Sequence, residues 1–303
     1  MKLYAPKYYN DFVCIADKCK HSCCIGWEID VDDGTLEFYK NADGGYAEVI
    51  KSSIESRDVP HFKLTEHGRC PHLNDKGLCN IILNMGEVFL CDICREHPRF
   101  YNDTPHGKEV GLGLSCEEAC RIILSADTYS DIVEIGCIDG ELEALHGFDP
   151  ITERAKIYDI LRDSFLPYSE RIMRIADGYG VSMDVNTKSG WADVISSLEY
   201  LENEHKDIFS AFSPDSIAPP AIELYAERLF AYFVYRHCSS AESDDEFKAS
   251  LGFALFCERL FVSVVTKKGI DGIDDVIDIA RIISEEIEYS EDNTNNIKLE
   301  FLF

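Results

Sequence analysis

The sequence predicts a mainly α-helical protein in which a cysteine-rich, metal-binding region with a few short strands is followed by an all-α helical bundle. Two observations carry this prediction. Eleven of the 13 cysteines lie at or before Cys137, and only Cys238 and Cys257 lie beyond it. From Asp149 onward, apolar residues instead recur at the three- and four-residue spacing of amphipathic helices. We therefore predict a cysteine-rich domain at residues 1–140 and a helical domain at residues 141–303.

The cysteine-rich region is predicted to mix short strands with short helices. Trp27 to Val31 alternates like a strand, and Asp32 can then cap a helix that runs through Tyr39. Asn74 to Gly77 has the composition of a hairpin turn. Glu109 to Leu114 is a further predicted strand. It leads into Ser115-x-x-Glu118, a capping box that predicts a helix over about Cys116–Ala126.

The rest of the chain is predicted to form helices. Asp149-Pro150 is an N-cap residue followed by proline at the first helical position, and it opens a helix to about Asp163. Further amphipathic stretches predict helices at Tyr168–Ala176, Trp191–Glu204, Pro220–His237, Asp244–Thr266 and Gly272–Tyr289. In the last stretch the apolar residues form one stripe, which predicts a buried face.

The charge of the chain is strongly negative. It has 29 Lys and Arg residues against 56 Asp and Glu residues, a net charge of −27. Such a field repels phosphates, so we expect no nucleic acid or anionic membrane partner, and a basic partner such as a lysine-bearing protein surface is favoured. The first ten residues lack the apolar core of a secretory signal, and no segment offers the ~20 apolar residues of a membrane span. We expect a cytoplasmic protein.

The cysteines are interpreted as metal ligands. In a reducing cytoplasm, clustered thiols more often bind metal than form disulfides, and an odd number cannot all pair within one chain. On a helical turn Cys19 and Cys23 would share a face, as would Cys116 and Cys120. Thiolate-rich sites with few histidines favour zinc or an iron–sulfur cluster. The chain matches neither a zinc ribbon nor the bacterial ferredoxin run, so spacing alone leaves the metal open.

The order of these motifs resembles the flagellin lysine-N-methylase (FliB) family, which overlaps the broader CxxCxxCC zinc- or iron-chelating proteins. The pattern is C-x4-C-x3-CC-x2-W-x-I, then C-P-x-L, G-x-C-x-I, G-E-x-x-L, a cysteine shortly before P-R, and finally S-C. The matching residues are Cys14, Cys19, Cys23, Cys24, Trp27, Ile29, Cys70, Pro71, Leu73, Gly77, Cys79, Ile81, Gly86, Glu87, Leu90, Cys94, Pro98, Arg99, Ser115 and Cys116. His97, where the family usually has an aromatic residue, and the extra Cys91, Cys120 and Cys137 depart from the family pattern.

The resemblance implies an enzyme that methylates lysine side chains of flagellin, with S-adenosylmethionine as methyl donor and a [4Fe–4S] cluster held by some of the cysteines. Arg95 or Arg99 would pair with the carboxylate of S-adenosylmethionine, because a guanidinium matches a carboxylate bidentately. Glu28 and Glu87 are the nearest candidates for the group that helps the lysine lose its proton. The family-type metal ligands in this chain are Cys14, Cys19, Cys23, Cys24, Cys70, Cys79, Cys94 and Cys116.

Two other functions are compatible with the same residues. Zinc could structure the cysteine-rich region so that the helices present a protein-binding surface without catalysis. The chain could also carry metal for delivery, in which case the metal would exchange readily and its removal would leave the fold intact. Cys238 and Cys257 lie on amphipathic stretches and are predicted to be core thiols, and Cys137 is interpreted as structural.

Overall fold

Short helices and strands alternate in the first half of the chain, and helices fill the second half. The computed structural model describes residues 1–56, 59–141, 147–183 and 190–302. The strands are β1 (Lys2–Pro6), β2 (Ile54–Ser56), β3 (Pro60–Phe62), β4 (Arg99–Thr104), β5 (Gly107–Leu112) and β6 (Ile132–Cys137). The helices are α1 (Asp33–Asn41), α2 (Gly45–Ser53), α3 (Asn80–Met85), α4 (Asp92–Glu96), α5 (Glu117–Ser125), α6 (Pro150–Leu161), α7 (Tyr168–Tyr179), α8 (Trp191–Ser197), α9 (Asn203–Phe209), α10 (Glu223–Cys238), α11 (Asp244–Lys268), α12 (Ile273–Ile283) and α13 (Glu291–Leu299). The prediction of a mainly α-helical protein is confirmed.

The chain divides into two compact units. One is Val13–Arg99, and the other combines Met1–Phe12 with Phe100–Phe303. The first strand explains this division, because β1 lies inside a four-stranded sheet of order β4-β5-β1-β6, parallel to β5 and antiparallel to β6. Residues 1–12 and 100–137 therefore belong with the helices. The division differs from the predicted domains at 1–140 and 141–303, which did not anticipate a strand at the N-terminus.

The Val13–Arg99 unit has a small core of its own. Its two-stranded sheet pairs β2 with β3, and short helices surround it. The buried residues of this core are Ile29, Val31, Tyr39, Ile50, Phe62, Cys70, Ile81 and Cys91. Two cysteines thus lie among the apolar side chains, where an ionised thiolate without a counter-charge would be unfavourable.

The core of the other unit is built around α10 and α11, which pack against each other and against α5, α12 and α13. By length and composition α11 could cross a membrane, but 89% of its most apolar window is buried inside the protein. It is the one such helix in the part of the chain that the structure describes. Cys238 and Cys257 are fully buried on these helices, as predicted for core thiols.

Most predicted elements are confirmed, with shifted ends. Asp32 Oδ1 accepts a hydrogen bond of 2.8 Å from the Thr35 amide at the start of α1, and the Asp149 side chain caps α6. By contrast, the predicted capping box does not form. Cys116 is the N-cap residue of α5, and Ser115 Oγ instead donates to the Tyr289 hydroxyl at 2.8 Å.

Two predicted segments differ from the structure. The alternation from Trp27 to Val31 is visible in burial, since Ile29 and Val31 are buried, but only an isolated bridge from Asp30 to His61 forms there. The long helix predicted over residues 191–204 is broken into α8 and α9, and α13 was not predicted. Local patterns located the helices but not every break between them.

The carboxyl group of Glu258 in α11 makes the stability of the helical unit depend on pH. Glu258 is fully buried, and its Oε1 accepts a hydrogen bond of 3.0 Å from the Tyr168 hydroxyl. Burial raises its pKa to about 7 from an ordinary value of 4.5. The folded state therefore holds the proton of the Glu258 carboxyl more tightly than the unfolded state does. The resulting stabilisation of the fold is fully present below pH 4.5 and is lost as the pH rises through 7.

As the pH rises from 4.5 to 7, we expect the ionisation of Glu258 to lower the free energy of unfolding by up to about 3 kcal/mol. Glu258→Gln keeps the acceptor for Tyr168 and cannot ionise, so it should remove this part of the pH dependence. Urea unfolding at several pH values measures the difference, with exposed Glu134→Gln as the matched control. The prediction fails if Glu258→Gln retains the wild-type slope.

Candidate metal centre

Two cysteines of the Val13–Arg99 unit face each other across extended segments. The amide of Cys70 donates to the carbonyl of Cys24 at 2.8 Å, and an isolated bridge joins Ile25 to Arg69 beside them. Backbone hydrogen bonding therefore fixes Cys24 next to Cys70, although 45 positions separate them in the chain. The amide of Gly26, which has a positive φ of 85°, donates to the carbonyl of Gly68 at 2.9 Å and continues the pairing.

Three further cysteines are placed by turns and short helices. The predicted turn at Asn74–Gly77 forms, and it brings Leu73 into a bridge with Cys79, the N-cap residue of α3. Cys91 is the N-cap residue of α4 and Cys94 lies in its first turn. The Sγ atoms of Cys91 and Cys94 are 3.5 Å apart and share a hydrogen bond. We call Cys24, Cys70, Cys79, Cys91 and Cys94 the five-thiol group.

Backbone amides point at several of these sulfurs. The Sγ atoms of Cys70 and Cys79 each accept hydrogen bonds from N–H groups two and three residues further along the chain. Cys91 accepts one from the amide of Cys94. Such donors stabilise a thiolate, the form in which cysteine binds metal, and hydrogen bonds to sulfur also tune iron–sulfur clusters.

The thiols are coupled to one another electrostatically. Burial raises the pKa of Cys70 to about 12 and also raises the pKa of Cys79, and the charges of the neighbouring thiols add to both shifts. Between Cys91 and Cys94 the shared hydrogen bond lowers the pKa of the first and raises that of the second. The hydrogen bond to Cys23 lowers the pKa of Cys24 to about 7. Several buried thiolates can coexist here only beside a positive charge, which a metal supplies.

The other predicted ligands are not members of the five-thiol group. Cys14 and Cys23 are exposed, although the Cys23 thiol is hydrogen-bonded to that of Cys24, and Cys19 Sγ donates to the carbonyl of His21 at 3.0 Å. Cys19 follows a short 3-10 turn in extended conformation, so the helical turn that would place it on one face with Cys23 does not form. Cys116 belongs to the other compact unit. Across the described residues, no three Cys, His, Asp or Glu side chains converge tightly enough to hold a single metal ion.

Cys91 belongs to the five-thiol group although it departs from the family pattern. It is fully buried and hydrogen-bonded to Cys94. The signal was present in the sequence, because Cys91 and Cys94 form the one C-x2-C pair of the chain. His72 is two residues from Cys70 in the chain, and both of its ring nitrogens are already hydrogen-bonded. Its two ring nitrogens contact the Tyr46 and Ser53 hydroxyls at 3.0 and 2.9 Å, and burial lowers its pKa to about 4.

The residues predicted to serve the methyl donor and the lysine are also in this unit. Arg95 is engaged by the carboxylates of Asp92 and Glu96, and it donates to the carbonyl of Leu90 at 3.3 Å. Arg99 Nη1 donates to the Arg95 carbonyl at 3.5 Å. Glu87 lies in an exposed turn, and the exposed carboxylate of Glu28 is 3.9 Å from His61. The roles of Arg95, Arg99, Glu28 and Glu87 stay predictions.

Comparison with curated proteins supports the resemblance that the motifs indicate. The flagellar biosynthetic protein FliU of Salmonella muenchen is 27% identical over 127 residues, which cover 40% of this chain and 75% of FliU. The lysine-N-methylases of Salmonella choleraesuis and Salmonella typhimurium are 27% and 26% identical over 127 residues. Over these residues the chain is similar to these proteins. The match covers 32% of each lysine-N-methylase, about a third of their length. No family model and no solved structure matches the chain.

Proposed function

We propose that this chain is a protein-lysine N-methyltransferase that uses S-adenosylmethionine to methylate flagellin or another lysine-bearing protein in the cytoplasm, and that its five-thiol group holds a [4Fe–4S] cluster. The similarity to proteins named lysine-N-methylase and FliU supports the reaction. The proposal of a bound cluster rests on one observation. Cys24, Cys70, Cys79, Cys91 and Cys94 lie in one small unit, with amide donors to three of the sulfurs.

The donor set suits a cluster of this kind. Five thiols exceed the four that a [4Fe–4S] cluster requires. The neighbouring His72 is held by hydroxyl groups, so the available ligands are thiolates.

The reaction requires a neutral lysine. When bound, S-adenosylmethionine supplies a methyl group activated by its positive sulfur. The lone pair of the lysine nitrogen forms the new N–C bond while the S–C bond breaks toward sulfur, so the ammonium must first lose a proton. Glu28 or Glu87 would take that proton. Arg95 or Arg99 would bind the carboxylate of the methyl donor, and Arg95 would first have to exchange its contacts with Asp92 and Glu96.

The test begins with protein purified without oxygen. We expect about four iron and four sulfide ions per chain, and transfer of isotopically labelled methyl groups from S-adenosylmethionine to flagellin lysines, detected by mass spectrometry. Cys79→Ser should abolish both results, and exposed Cys137→Ser is the matched control. Stoichiometric zinc without sulfide, together with no methyl transfer, would overturn the proposal and favour a zinc-structured binding module.

A further inference from the structure

A groove of about 420 Å³ opens on the Val13–Arg99 unit, lined by the segment before α1, the start of β3 and the start of α4. Its walls are partly apolar. Val59 is 54% exposed and Ile93 is 51% exposed, and Val31 and Pro60 also line the groove. The remaining lining residues are four aspartates: Asp30, Asp32, Asp33 and Asp92. Apolar walls and carboxylates are thus combined in one concave surface.

The four aspartates differ in what they already bind. Asp32 is used by the fold, because its side chain accepts hydrogen bonds from the amides of Thr35 and Asp92 at 2.8 and 2.9 Å. Asp92 pairs with Arg95. Asp30 and Asp33 are exposed and have no ion-pair partner among residues 1–56, 59–141, 147–183 and 190–302. Within that part of the chain, two negative charges without an ion-pair partner therefore face the groove beside exposed apolar side chains.

We propose that this groove docks a lysine-bearing segment of the protein substrate. The aliphatic stem of one lysine lies along Val59 and Ile93, and its ammonium group reaches Asp30 and Asp33. A lysine side chain has this combination of a long apolar stem and a charged end. The groove volume falls in the range of sites that enclose small side chains and ligands. The inference rests on the proposed function and locates the partner on this chain.

The position of the groove fits a docking role. Asp92 and Ile93 lie between Cys91 and Cys94 in the chain, so one wall of the groove is continuous with the five-thiol group. Carboxylates favour the charged form of a nearby amine. The lysine held by Asp30 and Asp33 therefore stays protonated, and the groove positions the segment while a different lysine accepts the methyl group.

Binding of a defined peptide to the full-length chain tests the docking site. The probe is a rhodamine-labelled peptide, Ala-Val-Lys-Leu-Ala with blocked ends, and its partner has norleucine in place of lysine. Fluorescence anisotropy at low salt gives Kd for both. In the Asp30→Asn/Asp33→Asn double variant, Kd for the lysine peptide should rise about 5- to 10-fold while Kd for the norleucine peptide is unchanged. Val59→Ser should raise both Kd values about 3-fold.

The controls use a similar aspartate and a similar valine elsewhere in the unit. Asp75→Asn lies in the turn at Asn74–Gly77, and Val49→Ser replaces a side chain of α2 that is 46% exposed. Both should bind like the wild type. Equal affinity of the wild type for the two peptides, an equal loss in the controls, or no binding of the lysine peptide would overturn the docking site.

Failure of the docking site and failure of the proposed function are distinguishable. Wild-type protein that binds the lysine peptide at Asp30 and Asp33 but transfers no methyl group would support docking and remove the proposed activity. A double variant that methylates flagellin with unchanged KM would leave the activity in place and overturn the docking site. If both proposals hold, the double variant raises KM for flagellin more than it lowers kcat.

Discussion

Replacing Cys91 by serine is expected to lower the metal affinity of the chain by more than about 100-fold, because changes to residues that merely support a metal ligand already cost 10–100-fold. Cys91 is fully buried and its Sγ lies 3.5 Å from that of Cys94. A serine hydroxyl has nearly the same shape but does not ionise to replace the thiolate. Iron, sulfide and zinc contents after anaerobic purification and dialysis against a chelator measure the effect.

Two other cysteines provide controls for this result. Cys137→Ser changes an exposed thiol at the end of β6, and Cys257→Ser changes a buried thiol of α11. Both should keep the wild-type metal content. The far-UV circular dichroism of all variants shows whether they fold, and it should be preserved in Cys91→Ser since most helices lie outside the Val13–Arg99 unit. Wild-type metal content in Cys91→Ser would exclude this residue as a ligand and return the assignment to the family-type cysteines.

Glu109→Gln is expected to destabilise the helical unit by about 3–5 kcal/mol, as removal of one partner from a buried ion pair does. Glu109 on β5 and Arg154 on α6 are both buried and form a bidentate pair, with distances of 2.6 and 2.7 Å. The guanidinium also lies 5.0 Å from the ring centre of Tyr235. Without the carboxylate, a positive charge is left in a site from which water is largely excluded. Urea unfolding at pH 7 measures the loss.

A double variant distinguishes the effect of the unpaired charge from the effect of lost packing. Glu109→Gln/Arg154→Met removes both charges, so it should recover much of the stability that Glu109→Gln loses. The surface pair of Lys2 and Glu134 is the matched control, because its side chains are 57% and 44% exposed. Glu134→Gln should cost less than about 1 kcal/mol. A loss of similar size in Glu109→Gln would show that the buried pair contributes no more than a surface pair.

The elements that could be predicted from the sequence are those with strong local signals. Asp149-Pro150 carries both a capping side chain and a preset φ, and α6 begins there. The N-terminal strand β1 could not be predicted in this way. It has five residues, and its place in the sheet depends on partners about 100 positions later in the chain. Pairing over such distances leaves no periodicity in the strand itself.

The candidate metal site could likewise be predicted only in part. The motifs single out a cysteine-rich region, and four of its predicted ligands, Cys24, Cys70, Cys79 and Cys94, are members of the five-thiol group. They could not show that Cys14 and Cys23 are exposed, because exposure depends on how segments far apart in sequence pack. Cys91 stands outside the predicted ligands for a different reason. It departs from the family pattern, although its C-x2-C spacing to Cys94 is visible in the sequence.

The insertion of one unit between β1 and the rest of its sheet has a consequence for synthesis on the ribosome. About 100 residues separate β1 from β5, which takes roughly 5–20 s to translate. During this interval β1 has no partner strand, and the Val13–Arg99 unit is completed just before β5 is made. Because this unit has its own core, it can begin to fold while β1 still waits for the strands on both of its sides.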